Sequence, residues 1–131
     1  MKRIILIISL VMLMMFAGCT DTKVTSQDPG YEQITAEAAK ELMDTETDYV
    51  IIDARTTGEF EEGHIPGAIL LPDFDVREKA EELLTDKGQL ILVYCRSGNR
   101  SKVASNDLVE LGYTNVKEFG GIIDWPYEIE K

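Results

Sequence analysis

Cys95 stands where an apolar run, Leu90-Ile91-Leu92-Val93-Tyr94, gives way to a polar loop, Arg96-Ser97-Gly98-Asn99-Arg100-Ser101. That order predicts a buried strand, a tight turn and a helix start, with one thiol at the mouth of a nest of backbone N–H groups. Such a nest binds anions and favours a thiolate over a thiol. A free cysteine titrates near pH ~8.5, so only about 3% is ionised at neutral pH, and lowering the midpoint to about 6.5 would raise that to about 75%. Arg96 and Arg100 supply charge of the right sign for such a shift. Gly98 permits a backbone twist that residues with a Cβ resist, and Ser97, Asn99 and Ser101 suit turns and helix starts. The chemistry indicated is nucleophilic attack by sulfur on a small anionic substrate. An isolated cysteine at a strand end is more often inert core, but two arginines beside a buried thiol would be a poor structural choice.

The chain contains no obvious general base for this thiol. His64 is the sole histidine and lies far away in sequence, so a Cys–His hydrolase has little support. One histidine and one free cysteine would need several carboxylates to make a zinc site. Neither a metal nor a cofactor is expected.

The elements that must position Cys95 read as follows. Thr35 caps a helix running to about Met43, with Ala38, Ala39, Leu42 and Met43 as its apolar stripe. Tyr49 to Ile52 is a strand buried on both faces that ends at Asp53. Glu59 to Glu61 form one helical turn, and Ala68 to Leu71 a second short strand. Asp75 with Glu78 three residues on is read as a capping box opening a helix to Leu84. Gln89 to Tyr94 is the central strand. Ser101 to Leu111 is the next helix, Val116 to Phe119 the last strand, and a helical segment containing Trp125 follows. Trp125 itself is read as core packing. Strands alternating with helices predict an α/β fold with a mainly parallel sheet, in which ligands sit beyond the carboxyl ends of strands. Cys95 and Asp53 both lie at such ends.

The 131-residue chain suggests one domain. It opens Met1-Lys2-Arg3, followed by Ile4 to Phe16, where only Ser9 is polar. This is the pattern of a secretory signal over residues 1–18, too short for a comfortable membrane-spanning helix. Phe16-Ala17-Gly18-Cys19 resembles the lipobox of bacterial lipoproteins, which implies a lipid on Cys19. Phe16 stands where Leu is usual, so ordinary cleavage or an uncleaved anchor stays open. Two or three acyl chains would hold the protein to a membrane on its extracytoplasmic side. Residues 19–30 then form the lipidated N-terminus and a polar tether, and residues 31–131 the globular domain. With Cys19 modified, Cys95 is the one free thiol, and a leftover thiol outside the cytoplasm is more often reactive than structural. A Cys19–Cys95 disulfide is conceivable only without the lipid. The formal charge is −11. Without Lys2 and Arg3 the balance is 11 basic against 24 acidic residues, or −13. Such a surface argues against nucleic acid as a partner, and it requires a local positive field to draw in any anion.

Two segments carry a resemblance. Val50-Ile51-Ile52-Asp53-Ala54-Arg55, with Glu59-Phe60 and Gly63-His64-Ile65-Pro66-Gly67-Ala68 after it, is similar to the first motif of the rhodanese family. Tyr94-Cys95-Arg96-Ser97-Gly98-Asn99-Arg100-Ser101 is similar to that family's active-site loop. The match covers about Tyr31 to Lys131, and with the N-terminal segment the chain looks like a single-domain, extracytoplasmic rhodanese. The resemblance implies a sheet of about five strands flanked by helices on both faces, and a monomeric domain. It also implies a sulfurtransferase. In that reaction Cys95 takes the outer sulfur of thiosulfate or a similar donor, becomes a persulfide, and passes the sulfur to a thiol or to cyanide. The amides of Arg96, Ser97, Gly98, Asn99, Arg100 and Ser101 would cradle the donor, helped by the two arginine side chains. Asp53, Arg55, Glu59 and His64 would be supporting architecture, with Asp53 near enough to orient the loop.

Two other readings share these residues. Phosphatases and arsenate reductases of related design carry five residues between cysteine and arginine, whereas four separate Cys95 from Arg100. The smaller ring suits sulfur better than a tetrahedral oxyanion. A sulfur-carrier or binding module with little turnover is the other.

Overall fold

The computed structural model describes residues 28–131. The segment read as a signal, Cys19 and the tether up to residue 27 lie outside the described residues. Five strands form one sheet: β1 (Glu32–Gln33), β2 (Tyr49–Asp53), β3 (Ile69–Leu70), β4 (Leu90–Cys95) and β5 (Val116–Gly121). Their spatial order is β1-β5-β4-β2-β3, and every pairing is parallel. Four helices connect them: α1 (Ala36–Thr45), α2 (Thr57–Glu62), α3 (Val76–Leu83) and α4 (Asn99–Glu110).

Side chains alternate across a strand, and that period sorts the core into two layers. Ile91, Val93 and Cys95 of β4 join Ile52 of β2 against Val76 and Ala80 of α3 and Ala104 and Leu108 of α4. Leu90, Leu92 and Tyr94 face the other way, with Ile51, Phe119, Ala39 of α1 and the half-buried Trp125. All six residues of β4 are buried, which is why its sequence is an unbroken apolar run rather than an alternating one. Trp125 packs as the sequence predicts.

Several local expectations are corrected. β1 went unrecognised because two exposed polar residues on a sheet edge carry no hydrophobic signal. Asp75 makes no capping bond, because a 3-10 turn over Asp73–Asp75 has already put its backbone in helical geometry. Its carboxylate pairs with Lys79 at 3.0 Å instead. The capping box forms earlier, where Thr56 and Glu59 satisfy each other's backbone amides and extend the expected single turn to Thr57–Glu62. Helix α4 starts at Asn99 rather than Ser101, because Gly98 makes the turn at φ +108°. The C-terminal helical segment is a 3-10 turn over Ile122–Asp124, with Trp125 already extended.

The ends of β2 and β4 are joined by a buried polar cluster. Arg55 Nε donates to both Asp53 carboxylate oxygens at 2.9 and 3.1 Å, and its Nη2 to Oδ2 at 2.7 Å and to the Gly63 carbonyl at 2.7 Å. The Tyr94 hydroxyl donates to Asp53 at 2.8 Å and accepts the Ile65 amide at 3.0 Å. Burial above all, then the neighbouring Asp53 charge, pushes the Tyr94 phenol well up. Burial pulls the Arg55 guanidinium down, but its bonds to Asp53 outweigh that and hold it above its ordinary value. Asp53 is fully buried, so removing its cation strands a charge in the interior. Arg55→Ala should therefore cost about 3–5 kcal/mol of stability in urea unfolding; a loss below about 1 kcal/mol would show that the pair behaves as a surface bridge.

Candidate active site at the end of the central strand

Cys95 ends β4 and is 1% exposed. The chain then turns through Arg96, Ser97 and Gly98 and enters α4. This turn lies against the start of the next connection, since a Cβ on Gly121 would sit 2.0 Å from the Arg96 carbonyl oxygen. Only glycine at 121 lets the two backbones approach so closely. The Ile123 amide donates to that same carbonyl at 3.3 Å, which fixes the far side of the loop.

Within the loop, the Gly98 amide donates to the Cys95 sulfur at 3.0 Å. The Cys95 thiol donates to the Ser101 hydroxyl at 3.3 Å. Ser101 is fully buried, while Arg96, Ser97 and Asn99 are exposed and Arg100 is half-buried. The exposed Arg96 forms no ion pair among the described residues. Arg100 grips Glu59 of α2 with both arms, at 2.7 and 2.9 Å. That grip, chiefly its hydrogen bonds, holds the Glu59 carboxyl down at about 2 and raises Arg100. Interaction with Cys95 is a further, smaller contribution to raising Arg100.

The residues of the first motif therefore divide. Glu59 reaches the cysteine loop through Arg100. Asp53 and Arg55 bond each other, Tyr94 and the Gly63 carbonyl, beside the loop rather than in it. His64 stacks on Phe60 at 3.8 Å, its Nδ1 lies 2.9 Å from the Phe60 carbonyl, and its Nε2 lies 3.4 Å from Glu130. His64 and Glu130 also exchange both backbone hydrogen bonds, at 2.8 Å each, so that region clasps the C-terminal segment.

One residue of the site escaped the sequence reading. Glu118 of β5 is 3% exposed, and its Oε1 accepts the Ser101 hydroxyl at 2.6 Å and the Gly120 amide at 2.8 Å. A signal for it existed. Val116 and Glu118 share one face of a strand whose Val116 enters the core beside α4, so the period of two points an acid inward.

Among the described residues no group of three or more histidine, cysteine or acidic side chains is placed to hold a metal ion. A cavity of about 460 Å³ opens elsewhere, between α1 and the C-terminal segment, lined by Tyr49, Ile51, Ile65, Pro66, Trp125 and Tyr127. Two of its polar groups are already partnered: Tyr49 donates to the Met43 carbonyl and Trp125 to the Glu128 carbonyl. The arrangement at Cys95 brings together a thiol, an amide aimed at it, the nearby Arg100 and an exposed arginine.

Comparison with known proteins agrees with this architecture. The profile of the rhodanese-like domain matches residues 35–126. A thiosulfate sulfurtransferase of Escherichia coli, PspE, is 37% identical over 73 residues, covering 56% of this chain and 70% of the relative. A sulfurtransferase of Allochromatium vinosum is 39% identical over 88 residues, covering 66% of this chain and 79% of the relative. Among solved structures, a rhodanese with anions from E. coli superposes with a TM-score of 0.60 at 34% identity, covering 63% of this chain and 98% of the other. The parallel five-stranded sheet, the cysteine loop at its centre and these similarities together place the chain in the rhodanese-like domain family, whose sulfurtransferase members are its relatives.

Proposed function

We propose that this protein moves sulfane sulfur from thiosulfate, or a donor of the same kind, to a thiol or cyanide acceptor through a persulfide on Cys95. The observation that carries this reading is the buried Cys95 sulfur meeting the Gly98 amide at 3.0 Å inside a loop closed by Arg100. An amide aimed at sulfur stabilises negative charge there. A thiol exposed by only 1%, in a ring with four residues between cysteine and arginine, favours receipt of a single atom over a whole oxyanion.

The reaction has two halves. The Cys95 thiolate attacks the donor's outer sulfur, the donor's S–S bond breaks, and its electron pair leaves with sulfite. The acceptor's nucleophile then attacks the outer sulfur of the persulfide, and the Cys95 sulfur leaves as thiolate. The exposed Arg96 draws the anion toward a protein whose overall charge opposes it. Arg100 is bound to Glu59, so it acts on the sulfur at longer range and ties the loop to α2. We further propose that residues 1–18 are a signal and that lipid on Cys19 anchors the domain outside the cytoplasm.

Incubating the full chain with thiosulfate should add the mass of one sulfur to the Cys95 peptide, and cyanide should remove it as thiocyanate. Cys95→Ser should abolish both. Mass gain elsewhere, or turnover of an aryl phosphate in place of thiosulfate, would remove the assignment.

Glu59 has a pH signature. Its carboxyl is depressed in the folded state, from about 4.5 to about 2, so its contribution to stability is full above about 4.5 and is lost as pH falls toward about 2. Glu59→Gln should flatten that part of the curve of thermal midpoint against pH; an unchanged acid limb would mean the pairing with Arg100 contributes nothing in solution.

For the anchor, Cys19→Ala should shift the protein from the membrane to the soluble fraction. Continued sedimentation with membranes would rule out lipid on Cys19 as the main tether.

A further inference from the structure

Ser101 has one hydroxyl hydrogen and several neighbours competing for it. Its oxygen lies 2.6 Å from Glu118 Oε1, 3.0 Å from the Gly98 carbonyl, 3.5 Å from the Gly120 carbonyl and 3.3 Å from the Cys95 sulfur. A carboxylate is a stronger acceptor than a neutral carbonyl, and Glu118 is also the nearest. With its hydrogen committed there, Ser101 presents only lone pairs to Cys95. The thiol can then donate to Ser101, but a thiolate would face a second acceptor and, beyond it, a buried like charge.

We propose that Glu118 is a positioning residue which, acting through Ser101, keeps Cys95 protonated in the sulfur-free enzyme and takes up its proton when the donor is attacked. This inference rests on the sulfurtransferase reading above. It supplies what the sequence lacked, a base for a thiol with no histidine beside it. The step balances as a proton relay. The S–H bond breaks, its proton passes to the Ser101 oxygen, and the Ser101 hydrogen passes to Glu118 Oε1. Negative charge moves from carboxylate to sulfur, and no net proton enters or leaves. The Ser101 hydroxyl then points its new hydrogen at sulfur, beside the Gly98 amide. On discharge, when the Cys95 sulfur leaves the persulfide as thiolate, the same path returns the proton. A thiol buried to this degree exchanges protons poorly with bulk water, so an internal store is useful.

The charged groups around the pair come from every neighbouring element. Arg96 of the loop is exposed, and Arg100 of α4 interacts with Cys95. Glu59 of α2 pairs with Arg100, and the charge of Asp73 from the 3-10 turn also acts on it. Next to Glu118 in β5, Lys117 points to the opposite face of the sheet and pairs with Glu32 of β1. Among the described residues no cation forms an ion pair with Glu118, so its carboxylate is answered only by Ser101 and the Gly120 amide.

The test is the pH profile of Cys95 alkylation by iodoacetamide in the full chain, a reaction that needs no sulfur donor. Glu118→Gln keeps the side chain's shape and an oxygen for both hydrogen bonds while removing the charge. Its alkylation midpoint should fall by about one pH unit or more; a midpoint unchanged or raised would overturn the proposal. Adding Glu118→Gln to Ser101→Ala should move the midpoint by less than half as much as adding it to the parent. Full additivity would mean the charge acts without the hydroxyl, and would also overturn it. Should Glu118→Gln fail to fold, the wild-type chain serves: the carbon-13 carboxyl resonance of Glu118 should shift on alkylation of Cys95, and a resonance that stays in place refutes the relay. If wild-type Cys95 alkylates normally yet never takes sulfur from thiosulfate, it is the sulfurtransferase reading that fails, and the alkylation profiles still decide the role of Glu118.

Discussion

The site is built on a close approach of two backbones. The turn after β4 presses the Arg96 carbonyl against Gly121 at the end of β5, where a methyl group would have no room. That approach is possible because β4 is paired along both edges, with β2 on one side and β5 on the other. The register of β4 on β5 breaks between Val93 and Cys95, where Cys95 comes opposite Gly121. The extra residue lies in β5, between Glu118 and Gly121, and Cys95 keeps the face it shares with Ile91 and Val93; such breaks are common beside functional sites. The Gly98 amide then meets the sulfur, and α4 begins at once. A buried strand thus delivers the Cys95 sulfur to the sheet's carboxyl edge, where parallel α/β folds hold their ligands.

Around that approach, buried polar groups have separate tasks. The Asp53–Arg55–Tyr94 cluster locks the neighbouring strand ends and the Gly63–Ile65 segment together. Its members are saturated by one another, so they contribute rigidity rather than a reactive group. Glu59 and Arg100 form a partly exposed clamp between α2 and the start of α4. Ser101 and Glu118 lie beside the thiol, and there one hydroxyl hydrogen has more acceptors within reach than it can serve. That competition is the ground for the proposed proton relay.

The two arginines of the loop, equivalent by sequence, are unequal in the fold. Both of Arg100's arms are occupied by a carboxylate, which spends much of its charge locally. Arg96 is exposed and forms no ion pair among the described residues, which is why the proposed reaction assigns it the arriving anion. The distinction follows from helix α2, whose capping box sets Glu59 within reach of Arg100.

The α/β class, the parallel sheet and the place of Cys95 were legible in the sequence because they depend on short-range patterns. An unbroken apolar run signals a strand covered on both faces, and a polar, glycine-bearing turn marks its end. The two motifs were legible for the same reason, being contiguous in the chain. Long-range pairings were not. β1 exists only because β5 offers it an edge. The Asp75 cap failed because a preceding turn had already set its backbone. Glu118 joins Ser101 only when the sheet brings β5 alongside the start of α4. Composition and periodicity determined most of the segments that are strands and helices and which loop follows Cys95. Which carboxylate answers which hydroxyl or guanidinium was decided by tertiary structure, because hydrogen bonds of about 3 Å form only between groups that packing has brought together.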